Sequence, residues 1–184
     1  KILIHKPDLG ETETFSLDNL DYTNNRDYFK SGIRICQRMG ISFVNGVECE
    51  IKSKIPFQAG TSSSSAIVVG WINFLAQLVD PPPKWSTKKI GELAYLAESV
   101  EFGEPGGMMD QYTTACGGLL KIESEPNVSL QKIESKLGSF VLGDSCEPKK
   151  TLEILDRCKN LRMNILDKLK SVNPNFNLHT STCE

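Results

Sequence analysis

The stretch that decides the fold is Ile55 to Val79, IPFQAGTSSSSAIVVGWINFLAQLV, in which four consecutive serines precede a long apolar run. A glycine- and serine-rich segment is by composition typical of a flexible linker. Here it follows the alternating segment Val47 to Ile55 and leads directly into the apolar run Ala66 to Val79. This order predicts a half-buried strand, a loop and a buried helix. The flanks therefore favour a structured loop over a linker.

Composition excludes several function classes. The 184 residues are 39% hydrophobic and 24% charged, with a formal charge of −2, so we expect no nucleic-acid partner and no membrane association. The apolar run is shorter than the roughly 20 residues that a membrane span needs. Six cysteines and two histidines form no zinc or redox pattern, and we expect reduced cysteines in a cytoplasmic protein. The chain starts with lysine and is interpreted as a fragment.

The rest of the chain predicts alternating helices and strands. The second predicted helix has Ser86 as its N-cap and Gly103 as its stop. Thr14 to Asn25 is predicted to be a polar, turn-rich connection. The last helix is amphipathic, with an apolar stripe opposite its lysines and arginines. The predicted strands are Lys1–His5, Val47–Ile55, Leu119–Ile122 and Phe140–Gly143, and the helices around the apolar run are Asp27–Arg38, Thr87–Phe102 and Thr151–Lys170.

The segment Gly60 to Ser65, which we call the serine loop, has the properties of a phosphate site. The first N–H groups of a helix have no intrahelical partner and lie at the positive end of the helix dipole, which suits a phosphate. Gly60 lets the backbone approach a ligand closely, and one of the serine hydroxyls can coordinate Mg²⁺. The loop matches neither the Walker pattern nor a nucleophile elbow, which would need glycine in place of Ser64. A capped helix start without a ligand is the alternative.

A second group of candidate residues lies downstream. Glu98, Glu101 and Glu104 crowd the end of the second predicted helix, where the dipole disfavours negative charge, so they favour a nearby cation. The turn Pro105–Gly107 then leads to Asp110. Mg²⁺ is usually held by one or two carboxylates together with substrate phosphates. The alternative is that the glutamates are solvated and that Asp110 only belongs to the turn.

These two stretches resemble motifs of the GHMP kinase superfamily and of its galactokinase-like sugar kinases. The segment from Pro56 to Ala66, PFQAGTSSSSA, resembles the phosphate loop of the family. The segment from Ala97 to Gln111 resembles the galactokinase stretch between a magnesium-binding glutamate and a catalytic aspartate. The resemblance implies an α+β fold. It implies a GHMP kinase N-terminal domain over residues 1–136 and the beginning of a ferredoxin-like C-terminal domain over residues 137–184.

The resemblance also implies roles for individual residues. Ser64 and Glu98 correspond to the Mg²⁺ ligands, and Asp110 corresponds to the aspartate beside the sugar hydroxyl. Helical phase instead favours Glu101 as the inward acid, so Glu101 is kept as the alternative ligand. The residues expected to bind ATP are Gly60, Thr61, Ser62, Ser63, Ser64 and Ser65.

The function implied by the resemblance is an ATP- and Mg²⁺-dependent kinase that phosphorylates a sugar hydroxyl, most closely a galactokinase-like anomeric sugar kinase. Thr61 stands where the family usually has leucine, and Gly106 where galactokinases often have cysteine. The N-terminal Gly-Arg-x-Asn-x-x-Gly-Glu-His motif and the glycine-rich C-terminal motif are absent from the sequence, so we expect this fragment alone to be inactive. The alternatives are a regulator that senses sugar or ATP without transfer, and a kinase for another alcohol such as mevalonate.

Overall fold

The computed structural model describes residues 1–57, 59–143, 151–178 and 180–181, in two compact units, Lys1–Lys149 and Lys150–Glu184. The strands of the first unit are β1 (Ile2–Lys6), β2 (Glu11–Phe15), β3 (Val47–Glu50), β4 (Leu120–Glu123) and β5 (Ser129–Lys132). Its α-helices are α1 (Tyr28–Arg38), α2 (Ser63–Gln77), α3 (Thr87–Tyr95) and α4 (Met109–Cys116). The second unit contains α5 (Thr151–Val172).

The main sheet has three strands in the order β2-β1-β3. β1 pairs antiparallel with β2 and parallel with β3, and both Phe15 and Val47 lie opposite Ile2. The parallel pair needs a crossover, which the connection through α1 supplies. Ile2 and Ile4 are fully buried and belong to the core formed with the helices. The sheet therefore packs its apolar face against the helical layer.

Strand β3 is shorter than the sequence predicted. Val47, Cys49 and Ile51 alternate with exposed charged residues as expected, but the strand ends at Glu50 rather than at Ile55. Its partner β1 ends at Lys6, and a 3₁₀ turn over Pro7–Leu9 takes the chain away. The strand can therefore extend no farther. Thr14 and Phe15, expected in a connection, belong to β2.

Helices α1 and α2 pack closely in the core. A Cβ atom on Gly32 would lie 2.6 Å from Cδ1 of Trp71, so only glycine allows this approach. The Trp71 indole N–H donates to the carbonyl of Phe29 at 3.0 Å, and the two rings meet edge to face. These contacts fix the helix that follows the serine loop against the first helix of the unit.

The predicted helix Thr87–Phe102 is correct at its start and interrupted near its end. Ser86 caps α3 by accepting a hydrogen bond from the N–H of Lys89 at 3.2 Å. After Tyr95 the chain forms a π-helical segment, Leu96–Val100, followed by a turn that ends at Gly103, where φ is 63°. This turn of the helix therefore contains one residue more than a regular α-helical turn.

A side chain on α1 stabilises this π-helical turn. The hydroxyl of Ser31 donates to the carbonyl of Ala97 at 2.8 Å, which is the carbonyl that an α-helix would pair with the N–H of Glu101. The N–H of Glu101 bonds instead to the carbonyl of Leu96 at 2.9 Å. Segments of this kind are frequent at functional sites.

Some of the remaining predictions from the sequence are confirmed, one is wrong and one stays untested. The predicted strand Leu119–Ile122 is confirmed as β4, which pairs with β5, whereas the predicted strand Phe140–Gly143 is wrong, since that segment is irregular and exposed. The predicted helix Thr151–Lys170 is confirmed as α5, but its apolar residues Leu161 and Ile165 are exposed. The division into domains at residues 136 and 137 stays a prediction. No helix in the described ranges is long and apolar enough to cross a membrane.

Candidate active site

The serine loop enters α2 through two residues in the left-handed backbone region. Gly60 has φ of 77°, and Ser62, directly before the helix, has φ of 55°. The hydroxyl of Thr61 donates to the carbonyl of Pro56 at 3.2 Å and connects the start of the loop to the residue five positions before it. Residues 61–64 are half-buried and Ser65 is buried. The loop is thus held against the protein, as a binding loop requires.

Helix α2 begins at Ser63, three residues earlier than the expected start at Ala66. The N–H of Ala66 bonds to the carbonyl of Ser62 at 3.0 Å and is the first to find an intrahelical partner. The N–H groups of Ser63, Ser64 and Ser65 lie before it, and the side chain of Ser62 caps none of them. The interpretation of the loop as a capped helix start is therefore not supported, and these donors suit an anion.

A buried polar cluster joins three segments beside this helix end. The side-chain amide of Gln111 on α4 donates to Glu98 Oε2 at 2.7 Å and to Ser65 Oγ at 3.4 Å. The exposed fractions are 2% for Ser65, 6% for Glu98 and 3% for Gln111. The serine loop, the π-helical segment and the start of α4 therefore meet at one place. We call these three residues the buried polar cluster.

The orientation of the Gln111 side chain leaves its amide oxygen without a hydrogen-bond donor among the described residues. Because a carboxylate only accepts hydrogen bonds, the amide nitrogen must face Glu98 and the amide oxygen must point elsewhere. That oxygen is buried and has no hydrogen-bond partner in the part of the chain that the structure describes. Buried polar atoms without partners are rare in proteins, and each one needs an explanation.

The three glutamates of the second predicted motif have different partners. Glu101 forms a bidentate pair with Arg38, at 2.6 and 2.8 Å, and Glu104 pairs in the same way with Arg26. Glu98 accepts from the neutral amide of Gln111 and, within the described residues, is in no ion pair. Glu98 is therefore the acid of the three that is buried beside the serine loop without a salt-bridge partner among the described residues.

Glu101 has a structural environment. The pair with Arg38 holds the pKa of the Glu101 carboxyl below its usual value, against the opposing effect of burial, and a hydrogen bond from Tyr22 at 2.7 Å adds to the lowering. Burial and the same hydrogen bond raise the pKa of Tyr22 to about 12. Glu101 thus links α1 and the Tyr22 segment to the π-helical turn. Its alternative role as a metal ligand gains no support from these contacts.

Asp110 lies in the first turn of α4, next to Gln111 of the cluster, and it is exposed. Ser64 likewise precedes Ser65 of the cluster and is half-buried. The structure thus brings together the segments that contain Ser64, Glu98 and Asp110. The buried contacts themselves are made by Ser65, Glu98 and Gln111. The roles of Ser64, Glu98 and Asp110, and ATP binding by residues 60–65, stay predictions.

A cavity of about 220 Å³ adjoins the entrance of the serine loop. Phe57 precedes the loop and Ile67 follows its serines, and both line the cavity, so the cavity lies close to the two ends of the loop. Other parts of the lining come from Lys6, Arg26, Tyr28 and Phe29. The lining combines apolar and charged side chains, as small-molecule sites do.

A family model for the GHMP kinases N terminal domain matches residues 27–118, which is 92 of the 184 residues. This chain belongs to the GHMP kinase family. The match includes the serine loop, the buried polar cluster and Asp110. The predicted family resemblance and the α+β fold class are therefore confirmed.

Two galactokinases illustrate the relation to this family. The chain is 31% identical over 122 residues to the galactokinase of Pyrococcus furiosus, a match that covers 64% of this chain and 33% of that protein. The fold is similar to that of Lactococcus lactis galactokinase in complex with galactose, with a TM-score of 0.56 and 21% identity. That match covers 72% of this chain and 36% of the other. The chain spans about a third of the length of these galactokinases.

The site of this GHMP kinase chain has a donor set that fits Mg²⁺ only together with phosphates. The described residues contain no group of three histidine, cysteine or acidic side chains that could hold a metal. The unpaired carboxylate of Glu98 and the serine hydroxyls beside it are oxygen donors of the kind that Mg²⁺ prefers. A site with one carboxylate depends on substrate phosphates for its remaining charge, which agrees with the neighbouring helix N-terminus.

Some residues of the site were missed from the sequence. The sequence motif includes Gln111 but predicts no role for it, and the predicted ATP binding by Ser65 does not include its hydrogen bond to Gln111. Nothing in the sequence singled out Arg26, or Tyr28, whose buried hydroxyl has no partner within the described ranges. Residue type and spacing cannot show which polar atoms a fold will bury, because burial depends on tertiary packing.

Proposed function

We propose that this chain is the nucleotide-binding part of an ATP-dependent sugar kinase that transfers the γ-phosphoryl group to a sugar hydroxyl, most closely a galactokinase-like anomeric sugar kinase. The observation that supports it most is the uncapped N-terminus of α2 beside a buried carboxylate that, within the described residues, has no salt-bridge partner. One feature attracts phosphate and the other attracts a cation. Mg²⁺-ATP brings both charges together.

The proposed roles follow from this arrangement. The backbone N–H groups from Gly60 to Ser65 bind the phosphates of ATP, while Ser64 and Glu98 hold Mg²⁺. When bound, Mg²⁺ neutralises phosphate charge and helps to align the γ-phosphoryl group. Gln111 fixes the Glu98 carboxylate through the 2.7 Å hydrogen bond. The cavity lined by Phe57 and Ile67 is close enough to the loop to receive the rest of the nucleotide.

Asp110 has the proposed role of orienting or deprotonating the sugar hydroxyl. It is exposed at the start of α4, where an acceptor in solvent can reach it, and it neighbours the cluster through Gln111. Removal of a proton at Asp110 and alignment of the hydroxyl with the phosphorus would supply the acceptor side of the reaction. The predicted cytoplasmic location stays a prediction.

Transfer of labelled phosphate from ATP to a panel of sugars, with the full-length gene product, tests this function. We expect transfer to galactose or a related sugar, and we expect Asp110→Asn to lower turnover by about 100-fold, as loss of a general base does. Asp18→Asn is the matched control, because the Asp18 carboxylate is also exposed and accepts a hydrogen bond from the hydroxyl of Ser16. This variant should leave turnover unchanged.

The outcomes separate the candidate functions. Transfer to mevalonate but to no sugar would identify a kinase for another alcohol. Binding of sugar or ATP without any transfer would identify a sensing regulator. Unchanged turnover in Asp110→Asn would remove Asp110 from the mechanism.

A further inference from the structure

Arg26 has an unusual backbone conformation. Its φ is 64°, in the left-handed region where residues with a side chain other than Asn or Asp are uncommon. Such conformations cluster at ligand-binding sites, where the surrounding structure holds them. Arg26 lies in the loop before α1 and lines the cavity beside the serine loop. Its conformation therefore points to a role at that cavity.

The loop before α1 is clamped by a buried ion pair. Lys30 Nζ donates to Asp27 Oδ2 at 2.9 Å, to the carbonyl of Asp21 at 3.0 Å and to the hydroxyl of Thr23 at 3.1 Å. The N–H of Thr23 also donates to Asp27 at 3.2 Å. This clamp fixes both ends of the segment that contains Arg26. The strained residue is thus held in place rather than free to relax.

The guanidinium of Arg26 is held along one edge. Nε and Nη2 donate to the two carboxylate oxygens of Glu104, at 2.5 and 2.9 Å. A guanidinium has five N–H groups, so three remain available after this bidentate contact. The side chain of Arg26 is 34% exposed, against 14% for Glu104. Glu104 therefore orients the guanidinium while the opposite edge can receive a second anion.

Glu98 of the buried polar cluster is among the charged groups that act on Arg26. Burial lowers the pKa of Arg26, but the hydrogen bond to Glu104 and the charges of Glu104 and Glu98 oppose this effect, and the pKa is raised overall. The buried hydroxyl of Tyr28 lies among these same groups and has no partner within the described residues. The other basic residue named in the cavity lining, Lys6, is already paired with two glutamates. Arg26 keeps three free N–H groups after its contact with Glu104, whereas Lys6 keeps one after its contacts with the two glutamates.

We infer that Arg26 binds the phosphate groups of the nucleotide, with its free guanidinium edge, while Glu104 and the loop clamp keep it in position. This role rests on the proposed function, since it assumes that ATP lies between the serine loop and the cavity. An arginine is suited to it because its planar fork binds phosphate oxygens in pairs and does not lose its charge.

Calorimetric titration of this 184-residue chain with Mg²⁺-ATP and with adenosine tests the inference. Arg26→Met removes the guanidinium, and Arg26→Gly removes it while relieving the left-handed backbone. Both variants should bind ATP about tenfold more weakly than the wild type, as expected for loss of a hydrogen bond to a charged group. Their affinity for adenosine should not change. Arg26→Lys, which keeps the charge and loses the fork, should lie between them and the wild type.

Arg38→Met is the matched control. Arg38 also forms a bidentate pair with an acid of the 98–104 segment, but its partner is Glu101. The Arg38→Met variant should bind ATP with the same affinity as the wild type. A role of Arg26 that is only structural would weaken ATP and adenosine binding equally, or neither, and each of these results would overturn the inference. If the wild type itself binds no ATP, the proposed function fails and the inference fails with it.

Protection from phenylglyoxal gives a second measurement that needs no variant. ATP should protect Arg26 of the wild-type chain from modification, measured by peptide mass spectrometry, and adenosine should not. Equal modification in the presence and absence of ATP would contradict the inference, even if every Arg26 variant failed to fold.

Discussion

Two buried polar groups in the first unit differ in how completely they are satisfied. Around Lys30, the ammonium has three acceptors, and the carboxylate of Asp27 accepts from Lys30 and Thr23. In the buried polar cluster, the Gln111 oxygen has no hydrogen-bond partner within the described residues, and the Glu98 carboxylate has no salt-bridge partner there. A fully paired group stabilises a fold, whereas an incompletely paired one is suited to a ligand. We infer that the first is structural and the second is functional.

The largest expected effect comes from breaking the structural group. Lys30→Met leaves the Asp27 carboxylate buried without its ammonium and should lower the free energy of unfolding by about 3 to 5 kcal/mol. Urea unfolding of the variant measures this loss. Lys89→Met is the matched control, because Lys89 forms an ion pair with Glu92 at the same i, i+3 spacing but on the surface. It should cost about 0.5 kcal/mol or less. Equal losses in both variants would contradict the structural assignment.

An intermediate effect is expected from neutralising the functional group. Glu98→Gln removes a buried charge that has no salt-bridge partner within the described residues, so stability should change by less than about 1 kcal/mol. Mg²⁺ should then improve ATP binding about tenfold less than in the wild type, a loss of the size seen when metal sites are perturbed. Titration of ATP with and without magnesium chloride measures this difference.

Glu101→Gln is the matched variant for that experiment. It should keep the Mg²⁺ dependence of ATP binding, because the Glu101 carboxylate is taken up by Arg38 and Tyr22. The reverse result, with Mg²⁺ dependence lost in Glu101→Gln and kept in Glu98→Gln, would make Glu101 the metal ligand. Both variants change one carboxylate to an amide within the same turn. They therefore differ only in which position, 98 or 101, loses a carboxylate that could bind Mg²⁺.

The smallest effect concerns the dependence of stability on pH. The pKa of Glu101 is lower in the folded protein than its ordinary value of 4.5, chiefly through Arg38. The ionised pair therefore stabilises the fold fully above about pH 4.5, and this contribution is lost as the pH falls through the folded-state pKa. Because the Arg38 side chain is 57% exposed, solvent limits the contribution to about 1 kcal/mol or less. Unfolding free energies between pH 3 and 7 should decline less at the acid end for Glu101→Gln than for the wild type.

The sequence was sufficient for the local features of the fold. The alternation of Val47, Cys49 and Ile51, the cap at Ser86 and the apolar run after the serines are local patterns, and each predicted an element that the structure contains. The end of β3 depends on where its partner β1 stops, which no pattern within β3 shows. The predicted strand at Phe140–Gly143 is wrong because its apolar side chains have no packing partner among the described residues of the first unit.

The candidate site was predictable as a location but not as a set of contacts. The motifs placed Ser64, Glu98 and Asp110 on three segments, and the structure brings those segments together. The hydrogen bonds that join them are made by Ser65 and Gln111, and the bidentate pair between Arg26 and Glu104 spans 78 positions of sequence. Side-chain partners so distant along the chain are set by tertiary packing alone.

The extra residue in the π-helical turn changes which acid faces the buried polar cluster. One additional residue rotates everything after it by about 100° around the helix axis, so a regular helical wheel drawn through Ile90 and Leu93 places Glu101 inward, whereas Glu98 is the acid that contacts Gln111. The hydroxyl of Ser31, on a different helix, holds this offset in place. Deleting one residue between 96 and 100 would restore regular winding and turn the downstream side chains to new directions. The carboxylate that reaches the cluster is thus set by the winding of this helix, which a serine 67 positions earlier than Glu98 stabilises.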